Sequence, residues 1–265
     1  MKDKLRTAFT ERFSSNPVFY ASAGRINLIG EHTDYNGGFV FPGAIDKYIM
    51  TAININGTDK VRLYSVDMNQ YTEFGLREED KPDEQWACYV FGVCREVIKR
   101  GFEVKGFDAV FAGNVPLGAG LSSSAALESC FAYALNDLFN DNKISIFELA
   151  LIGQSTEHNY CGVNCGIMDQ FASVFGKKDC LMRLDCRSLE FKYFPFKPVG
   201  YKLVLVNSQV KHELVDSPYN KRRESCERVA KTLGVETLRD ADMSMLEAAK
   251  AQISDEDYKL SLIHI

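Results

Sequence analysis

The sequence lacks the features that mark several specialised classes of protein. Its 265 residues include only 7 prolines and one tryptophan, with no low-complexity stretch, which excludes a fibrous or disordered chain. No apolar run approaches the roughly 20 residues of a membrane helix. The first residues, MKDKLRTAFTERF, have no apolar core of a secretion signal. We therefore expect a cytoplasmic protein with no membrane partner.

Basic charge and paired cysteines are also scarce. The chain has 31 Lys and Arg against 36 Asp and Glu, a net charge of −5, whereas nucleic-acid binders carry a basic footprint. The 8 cysteines include no Cys-x-x-Cys pair, and Cys161 and Cys165 have no second ligand pair at zinc spacing. We expect reduced structural cysteines and no nucleic-acid partner.

Hydrophobic periodicity indicates helices and strands without strict β-α alternation, so we expect an α+β fold. Predicted helices cover residues 3–13, 86–100, 123–139, 145–158, 219–233 and 245–251. Predicted strands cover residues 18–29, 45–55, 61–66, 107–112, 181–184, 189–194 and 203–206. The Asn56-Gly57 pair predicts a hairpin between the strands on either side of it.

A segment rich in glycine and serine precedes the predicted helix 123–139. Residues 116–126 read PLGAGLSSSAA. Gly118 and Gly120 let the backbone approach a ligand, and the free N–H groups at the start of a helix bind anions. The spacing matches neither a Walker loop nor a Rossmann fingerprint. The alternatives are a phosphate site and a glycine turn with a serine N-cap.

Two acidic segments carry further candidate residues. In residues 24–38, GRINLIGEHTDYNGG, three polar side chains crowd a glycine-bounded turn that suits the hydroxyls of a sugar or polyol; the alternative is a polar surface loop. Asp169 is either a helix N-cap or a base beside a reacting hydroxyl. Glu157, with a serine hydroxyl, forms an acceptable partial shell for Mg²⁺.

Two basic positions leave their roles open. His158 is either a ligand or base, or a helix-terminal histidine that favours the helix dipole. The basic start of the predicted helix at 221–223 either contacts phosphate or forms a solvated face.

Together these segments resemble the galactokinases, within the family of galactokinase, homoserine, mevalonate and phosphomevalonate kinases. Residues 24–35 resemble the galactokinase signature, residues 116–126 the phosphate loop and residues 165–171 the segment that carries the base. Agreement also runs through residues 86–89 and 217–223. Ala23 departs from the signature, which usually has proline there.

The resemblance implies a two-lobed α+β kinase that transfers the γ-phosphoryl group of ATP to the C1 hydroxyl of galactose, with Mg²⁺ as cofactor. It makes Asp169 the catalytic base and Arg25 the group that stabilises the transition state. It places in the sugar site Glu31, His32, Thr33, Asp34, Gly166, Asp169 and Tyr219. It places in the ATP site Trp86, Gly118, Ala119, Gly120, Leu121, Ser122, Ser123 and Ser124. Ser124 and Glu157 would bind the magnesium ion.

Other functions remain open beside this one. A sugar- and ATP-binding transcriptional regulator is one alternative, but such relatives lack two residues after the phosphate-loop serines, and Ser124-Ala125-Ala126 is intact here. A kinase for N-acetylgalactosamine or L-arabinose is another, because discrimination depends on pocket volume around one ring position. We expect ATP and galactose as ligands and a monomer.

The resemblance also predicts the domain organisation. Residues 1–200 are expected to form the N-terminal lobe, and residues 201–259 to begin a C-terminal lobe whose second glycine-rich segment has no match here. Residues 260–265, LSLIHI, resemble translated library-adapter sequence. We therefore expect a C-terminally truncated chain that is poorly stable and nearly inactive.

Overall fold

The computed structural model describes residues 1–13, 15–116, 118–206 and 218–265. The strands are β1 (Val18–Asn27), β2 (Phe39–Val40), β3 (Pro42–Ile55), β4 (Val61–Ser65), β5 (Gln70–Phe74), β6 (Phe107–Gly113), β7 (Cys180–Asp185) and β8 (Phe191–Pro195). The helices are α1 (Lys2–Thr10), α2 (Gln85–Lys99), α3 (Ser123–Asn140), α4 (Ile146–Thr156), α5 (Met168–Phe175), α6 (Pro218–Leu233), α7 (Met243–Ala249) and α8 (Asp255–His264). The predicted α+β class is confirmed.

The main sheet has the strand order β1-β3-β6-β4-β5, and its pairs are antiparallel except the parallel pair β4 and β6. The predicted hairpin at Asn56-Gly57 is therefore wrong, because β6 lies between β3 and β4. The reason is burial: β6 is covered on both faces, so it takes an interior position. The side chain of Asn56 still closes the turn, donating to the Lys60 carbonyl and to the Asp108 carboxylate.

The two faces of the main sheet are covered by different helices. On one face α1 packs through Leu5 and Phe9 against Val110 of β6. On the other face α3 and α5 pack on the sheet, and α2 contacts β6 through Trp86 and Phe111. Helix α4 packs on α2, α3 and α5, and Phe107 of β6 lies in the same core. This larger core fixes the start of α3 and the start of α5, where the candidate residues lie.

A second sheet, β2-β7-β8, and the helices α6 to α8 complete the described part of the chain. The three helices enclose an apolar cluster around Cys226, Val229 and Leu246. The predicted strand at 203–206 is wrong: these residues have no regular structure, and Val204 and Val206 are 75% and 85% exposed. No described strand pairs with them, so their apolar alternation has no sheet to join. Residue 217, the first of the segment 217–223 that resembles the family, lies outside the described residues; the predicted helix 219–233 is found as α6.

None of the helices in the described part of the chain combines the length and the hydrophobicity needed to cross a membrane.

Candidate active site

Residues 118–122 of the phosphate-loop candidate form a turn that leads into α3 and exposes Gly118 and Gly120. Gly118 and Gly120 have φ angles of +68° and +70°, which glycine adopts without strain. Ser122 also has a positive φ, +57°, a conformation that costs a non-glycine residue about 1–3 kcal/mol and is concentrated at functional sites. The Ser122 side chain accepts no hydrogen bond from an N–H group of α3. The serine N-cap interpretation is therefore wrong, and Ser122 leaves the first N–H groups of α3 uncapped.

The Ser122 hydroxyl is instead bonded to the candidate base. It donates to Oδ2 of Asp169 at 2.6 Å, while Oδ1 of Asp169 accepts from Nε of Arg25 at 2.7 Å. Arg25 also donates through Nη1 to the Gly120 carbonyl at 2.6 Å. Residues from β1, the loop before α3 and the first turn of α5 therefore meet at one carboxylate, although they are 144 and 47 positions apart in sequence.

A close approach of two backbones holds this junction together. The N–H of Arg25 donates to the Leu121 carbonyl at 3.1 Å, and a Cβ on Gly24 would lie 2.6 Å from the same oxygen. The register of the β1–β3 pairing shifts between Ala23 and Arg25. Ala23 is the residue that stands where the signature usually has proline. Gly24 is thus required because the loop carbonyl occupies the space that a side chain would fill.

The polyol loop is closed by its own backbone and side chains. The Thr33 hydroxyl donates a shared hydrogen bond to the carbonyls of Gly30 and Phe39, which ties its side chain to the loop. Glu31 is exposed and accepts from Asn27. His32 has a φ of +62°, which aims its ring toward Tyr35 and α6.

His32 belongs to a cluster of aromatic rings at the start of α6. Its Nε2 accepts from Nη1 of Arg222 at 3.1 Å, so Nδ1 carries the proton and donates to the Tyr35 hydroxyl at 2.8 Å. Burial, followed by the charge of Arg222, lowers the pKa of His32, which keeps the ring neutral. Tyr219 lies 5.5 Å away, ring centre to ring centre.

Asp34 is directed at the start of the segment that carries the base. A Cβ on Gly166 would lie 2.1 Å from Oδ2 of Asp34, so glycine is needed for this contact. The hydroxyl of Tyr219 accepts from the N–H of Gly166 at 3.4 Å. Burial and the charge of Asp169 raise the pKa of Asp34 to about 7, against the lowering effects of the Tyr35 N–H and Arg25. The structure therefore brings Asp34, Gly166, Asp169 and Tyr219 together.

Glu157 is turned into the protein by a local change of helix type. Helix α4 continues as a π-helical turn over Glu157–Cys161, a feature frequently found at functional sites. Glu157 is 3% exposed, and burial raises its pKa to about 7 against a hydrogen bond from Ser124. Its Oε2 has no partner among the described residues. A buried, unpartnered carboxylate oxygen beside a serine hydroxyl fits a divalent cation.

Sequence reasoning missed a second buried carboxyl group, Glu128. It lies on α3 four residues after Ser124, is fully buried, and has an unpartnered Oε1. Burial and the charge of Glu157 raise its pKa well above its usual range. The signal was available: an ionisable residue stands in the otherwise small and apolar run AALESCFA. Within the described ranges no group of three or more His, Cys, Asp or Glu is arranged to hold a metal.

The remaining candidates have the following surroundings. Trp86 lies in the main core, 9% exposed and 5.6 Å from Phe111, ring centre to ring centre. Ala119, Leu121, Ser123 and Ser124 are half-buried around the exposed glycines of the loop. His158 lies in the last turn of the helical segment Glu157–Cys161, as the helix-terminal alternative predicts, and its Nε2 donates to the Cys165 carbonyl at 2.8 Å.

The basic start of α6 binds the site from a direction that the sequence did not indicate. Nη1 of Arg223 donates to the Asn164 carbonyl at 2.9 Å and to the Cys165 carbonyl at 3.2 Å. Asn220 donates to the Gly162 carbonyl and accepts from the Asn164 N–H. With the Arg222–His32 bond, these contacts fasten α6 to the polyol loop and to the segment before Asp169. Lys221 and Arg222 are exposed, as the solvated-face alternative predicts, whereas Arg223 is half-buried.

Known protein families match this chain over segments that carry most of the candidate residues. The family description "GHMP kinases N terminal domain" matches residues 88–177, and "Galactokinase galactose-binding signature" matches residues 7–55. Galactokinases of Thermotoga petrophila and Clostridium tetani are 45% and 40% identical over 224 and 242 residues, which are 84% and 89% of this chain. The chain spans 62% of the length of each of these curated relatives.

Solved structures agree with the sequence relatives. The Lactococcus lactis galactokinase complexed with galactose has a TM-score of 0.84 and 32% identity, covering all of this chain and 71% of that one. The mevalonate kinase of Methanococcus jannaschii shares the fold, with a TM-score of 0.56 at 15% identity over 94% of this chain and 78% of its own. The chain therefore belongs to the galactokinase family, within the GHMP kinases.

Proposed function

We propose that this protein is a galactokinase, which transfers the γ-phosphoryl group of ATP to the C1 hydroxyl of D-galactose. The observation that carries the proposal is the Arg25–Asp169 ion pair at 2.7 Å, bonded on one side to the Gly120 carbonyl and on the other to the Ser122 hydroxyl. A carboxylate, a guanidinium and a phosphate-binding loop at one point are the parts that phosphoryl transfer requires.

Asp169 is proposed to orient the attacking hydroxyl and to accept its proton. Both of its oxygens already accept a hydrogen bond, one from Arg25 and one from Ser122. A sugar hydroxyl can use a remaining lone pair or replace the Ser122 hydroxyl. Arg25, charged and held between Asp169 and the loop, is proposed to stabilise negative charge that develops on the transferred group.

Magnesium is proposed to bind at Ser124 and Glu157. The unpartnered Oε2 of Glu157, buried beside Ser124 and Asp169, supports this site. When bound, the cation would neutralise charge on the phosphate oxygens. The first N–H groups of α3 would hold the phosphates from the other side. Ala119, Leu121 and Ser123 stay predicted loop contacts, and Trp86 stays a predicted neighbour of adenine.

Galactose is proposed to bind between the polyol loop and α6. Asp34, the Gly166 backbone, Asp169 and Tyr219 converge there, and the neutral His32 presents its ring beside Tyr219. The structure of the Lactococcus lactis galactokinase, whose fold matches all of this chain and which was solved with galactose, supports the choice of sugar. Glu31 is proposed to contact the sugar from the exposed edge of the loop, whereas Thr33 is proposed to support the loop.

The domain division at residue 200 is part of the proposal. Helices α6 to α8 have their own apolar cluster, which supports a second lobe that begins after residue 200. Ion pairs Arg239–Asp185 and Arg187–Asp240 connect this unit to the rest. A cytoplasmic location is supported by the free thiols of all eight cysteines, each of which lies in a described range. The monomeric state, and the origin of residues 260–265, stay predictions.

A sugar panel tests the proposal. The protein is incubated with ATP, Mg²⁺ and galactose, N-acetylgalactosamine or L-arabinose, and sugar 1-phosphate is detected by phosphorus NMR; binding of each sugar is measured in parallel by calorimetry. Binding is the primary readout, because it tests the sugar site independently of turnover. Tightest binding of galactose supports the proposal. Preference for another sugar, or no sugar binding, overturns it.

A further inference from the structure

The segment between the π-helical turn and α5 has no regular structure of its own. It covers residues 162–167, and it contains Gly166 of the proposed sugar site. A helix or a strand fixes the direction of its N–H groups through its own backbone hydrogen bonds, which this segment lacks at Gly166. The direction of the Gly166 N–H therefore depends on the side chains that hold the segment.

Helix α6 supplies two of these side chains. Asn220 donates to the Gly162 carbonyl at 3.0 Å and accepts from the Asn164 N–H at 3.1 Å. Nη1 of Arg223 donates to the Asn164 carbonyl at 2.9 Å and to the Cys165 carbonyl at 3.2 Å. Residues three positions apart lie on the same face of a helix, so one face of α6 is bonded to four backbone groups of the segment.

The Cys165 carbonyl is also bonded from a second element. Nε2 of His158, in the π-helical turn, donates to it at 2.8 Å. The Cys165–Gly166 peptide is trans, so this carbonyl and the Gly166 N–H lie in one plane and point in opposite directions. The two bonds to the carbonyl therefore set the direction of the N–H. That N–H donates to the Tyr219 hydroxyl at 3.4 Å, beyond the usual range of about 2.7–3.2 Å, so a ligand oxygen can take its place.

We propose that Arg223 is a positioning residue, which holds the Cys165–Gly166 peptide unit so that the Gly166 N–H donates to one hydroxyl of the sugar. The inference rests on the proposed function, because the sugar site is assigned only there. Arg223 bonds to the carbonyl side of the peptide unit, so it acts on the sugar only through Gly166. The net value of one hydrogen bond corresponds to roughly 2- to 12-fold in affinity.

The test compares three substitutions on α6. Arg223→Met removes the donors and keeps a long, unbranched side chain, whereas Arg223→Lys keeps the charge and a donor for a carbonyl. Arg228→Met is the matched control, because Arg228 is 58% exposed and bonds at 2.8 Å to Asp257 of α8, away from the segment. Arg223 also pairs with a carboxylate, that of Glu227, so each methionine variant loses one such pair. Thermal unfolding of each variant is measured first.

The readout is calorimetric titration with galactose and with its 2-, 3-, 4- and 6-deoxy derivatives. Each missing hydroxyl lowers the affinity of the wild type by the value of the bond that it made. We expect Arg223→Met to bind galactose about 3- to 10-fold more weakly than the wild type. The penalty for one missing hydroxyl should shrink by the same factor, because that deoxysugar makes no bond to the Gly166 N–H, and the other penalties should not change. Galactose affinity should stay within about threefold in Arg223→Lys and unchanged in Arg228→Met.

The pattern across the sugars separates this inference from a structural effect and from the proposed function. A loss that galactose and all four deoxysugars share equally overturns the inference, because a loosened helix would weaken every sugar alike. The absence of any loss in Arg223→Met overturns it as well. In both cases the wild type still binds galactose and the proposed function stands.

A second variant keeps the inference testable if Arg223→Met does not fold. His158→Leu removes the other donor to the Cys165 carbonyl, and it is expected to reduce the penalty at one hydroxyl in the same way; an unchanged set of penalties would overturn the inference. If the wild type binds no galactose, the proposed function fails and the inference with it.

Discussion

Replacing Gly24 by alanine tests the junction between β1 and the phosphate loop. The added Cβ would lie 2.6 Å from the Leu121 carbonyl oxygen, whereas ordinary contacts begin at 3.4 Å. The loop or the strand must therefore move by about 0.8 Å, which breaks the 3.1 Å bond from the Arg25 N–H to the same oxygen. Overpacking of this kind costs about 1–3 kcal/mol, and the lost bond about 1 kcal/mol.

We expect Gly24→Ala to lower the free energy of unfolding by about 2–4 kcal/mol, or Tm by roughly 4–16 °C. Because the displaced carbonyl belongs to the loop, affinity for an ATP analogue should fall about 10-fold, corresponding to about 1.4 kcal/mol. Differential scanning fluorimetry and calorimetric titration measure the two quantities.

Gly43→Ala is the matched control for this experiment. Gly43 is the cross-strand partner of Ile26. Its added Cβ would lie 2.7 Å from the end of the Leu181 side chain and 3.4 Å, an ordinary contact distance, from the Cys180 carbonyl oxygen. That side chain can rotate away, so the cost should stay below about 1.5 kcal/mol and nucleotide affinity should not change. Equal effects of the two substitutions on nucleotide affinity would refute the reasoning that the Leu121 carbonyl is the obstacle.

Three further substitutions test separate parts of the site. Asp169→Asn should bind galactose within a fewfold of the wild type but lose whatever turnover the wild type shows; turnover as fast as that of the wild type would exclude Asp169 as the base. Asp34→Asn should stabilise the protein by about 2–4 kcal/mol at pH 8. In the wild type, folding raises the Asp34 pKa from 3.8 to about 7, so the folded protein loses stability as the pH rises from 4 to 7. Unfolding by urea at pH 4 and pH 8 measures this, and a pH-independent difference contradicts it. Arg239→Met should cost about 1 kcal/mol at pH 7, since the half-exposed pair with Asp185 is screened by solvent. Arg239 lowers the pKa of Asp185 to about 2, so this cost should disappear as the pH falls from 4 to 2; a cost that persists at pH 2 would show that the pair is not its source.

The sequence predicted the local elements of the site well because each depends on short-range chemistry. Helix α3 follows the glycine and serine loop, and α2 ends at Lys99, just before Gly101 with its φ of +82°. Both follow from helix-end preferences that a few neighbouring residues determine.

Long-range order was harder to predict. Asn56-Gly57 has the composition of a hairpin turn, but β6 enters between its flanking strands because β6 is buried on both faces and needs an interior position. Turn propensity is a local preference, and burial of a whole strand outweighs it.

The site residues that sequence reasoning missed act through partners far along the chain. Glu128 gains its significance from Glu157 and Gln170, which are 29 and 42 positions away. Arg222 and Arg223 resembled a solvated helix face because their partners, His32 and the Cys165 carbonyl, are 190 and 58 positions away. No local pattern contains such pairs.

Calorimetric titration with galactose and with glucose, its C4 epimer, tests most directly whether the polyol loop, Gly166, Asp169 and Tyr219 form a galactose site. A site with hydrogen-bonding groups directed at one arrangement of hydroxyls leaves a buried group unpaired with the wrong epimer, at about 1–3 kcal/mol. We predict that galactose binds at least about 10-fold tighter than glucose. Equal affinity for the two sugars, or binding of neither, would contradict it.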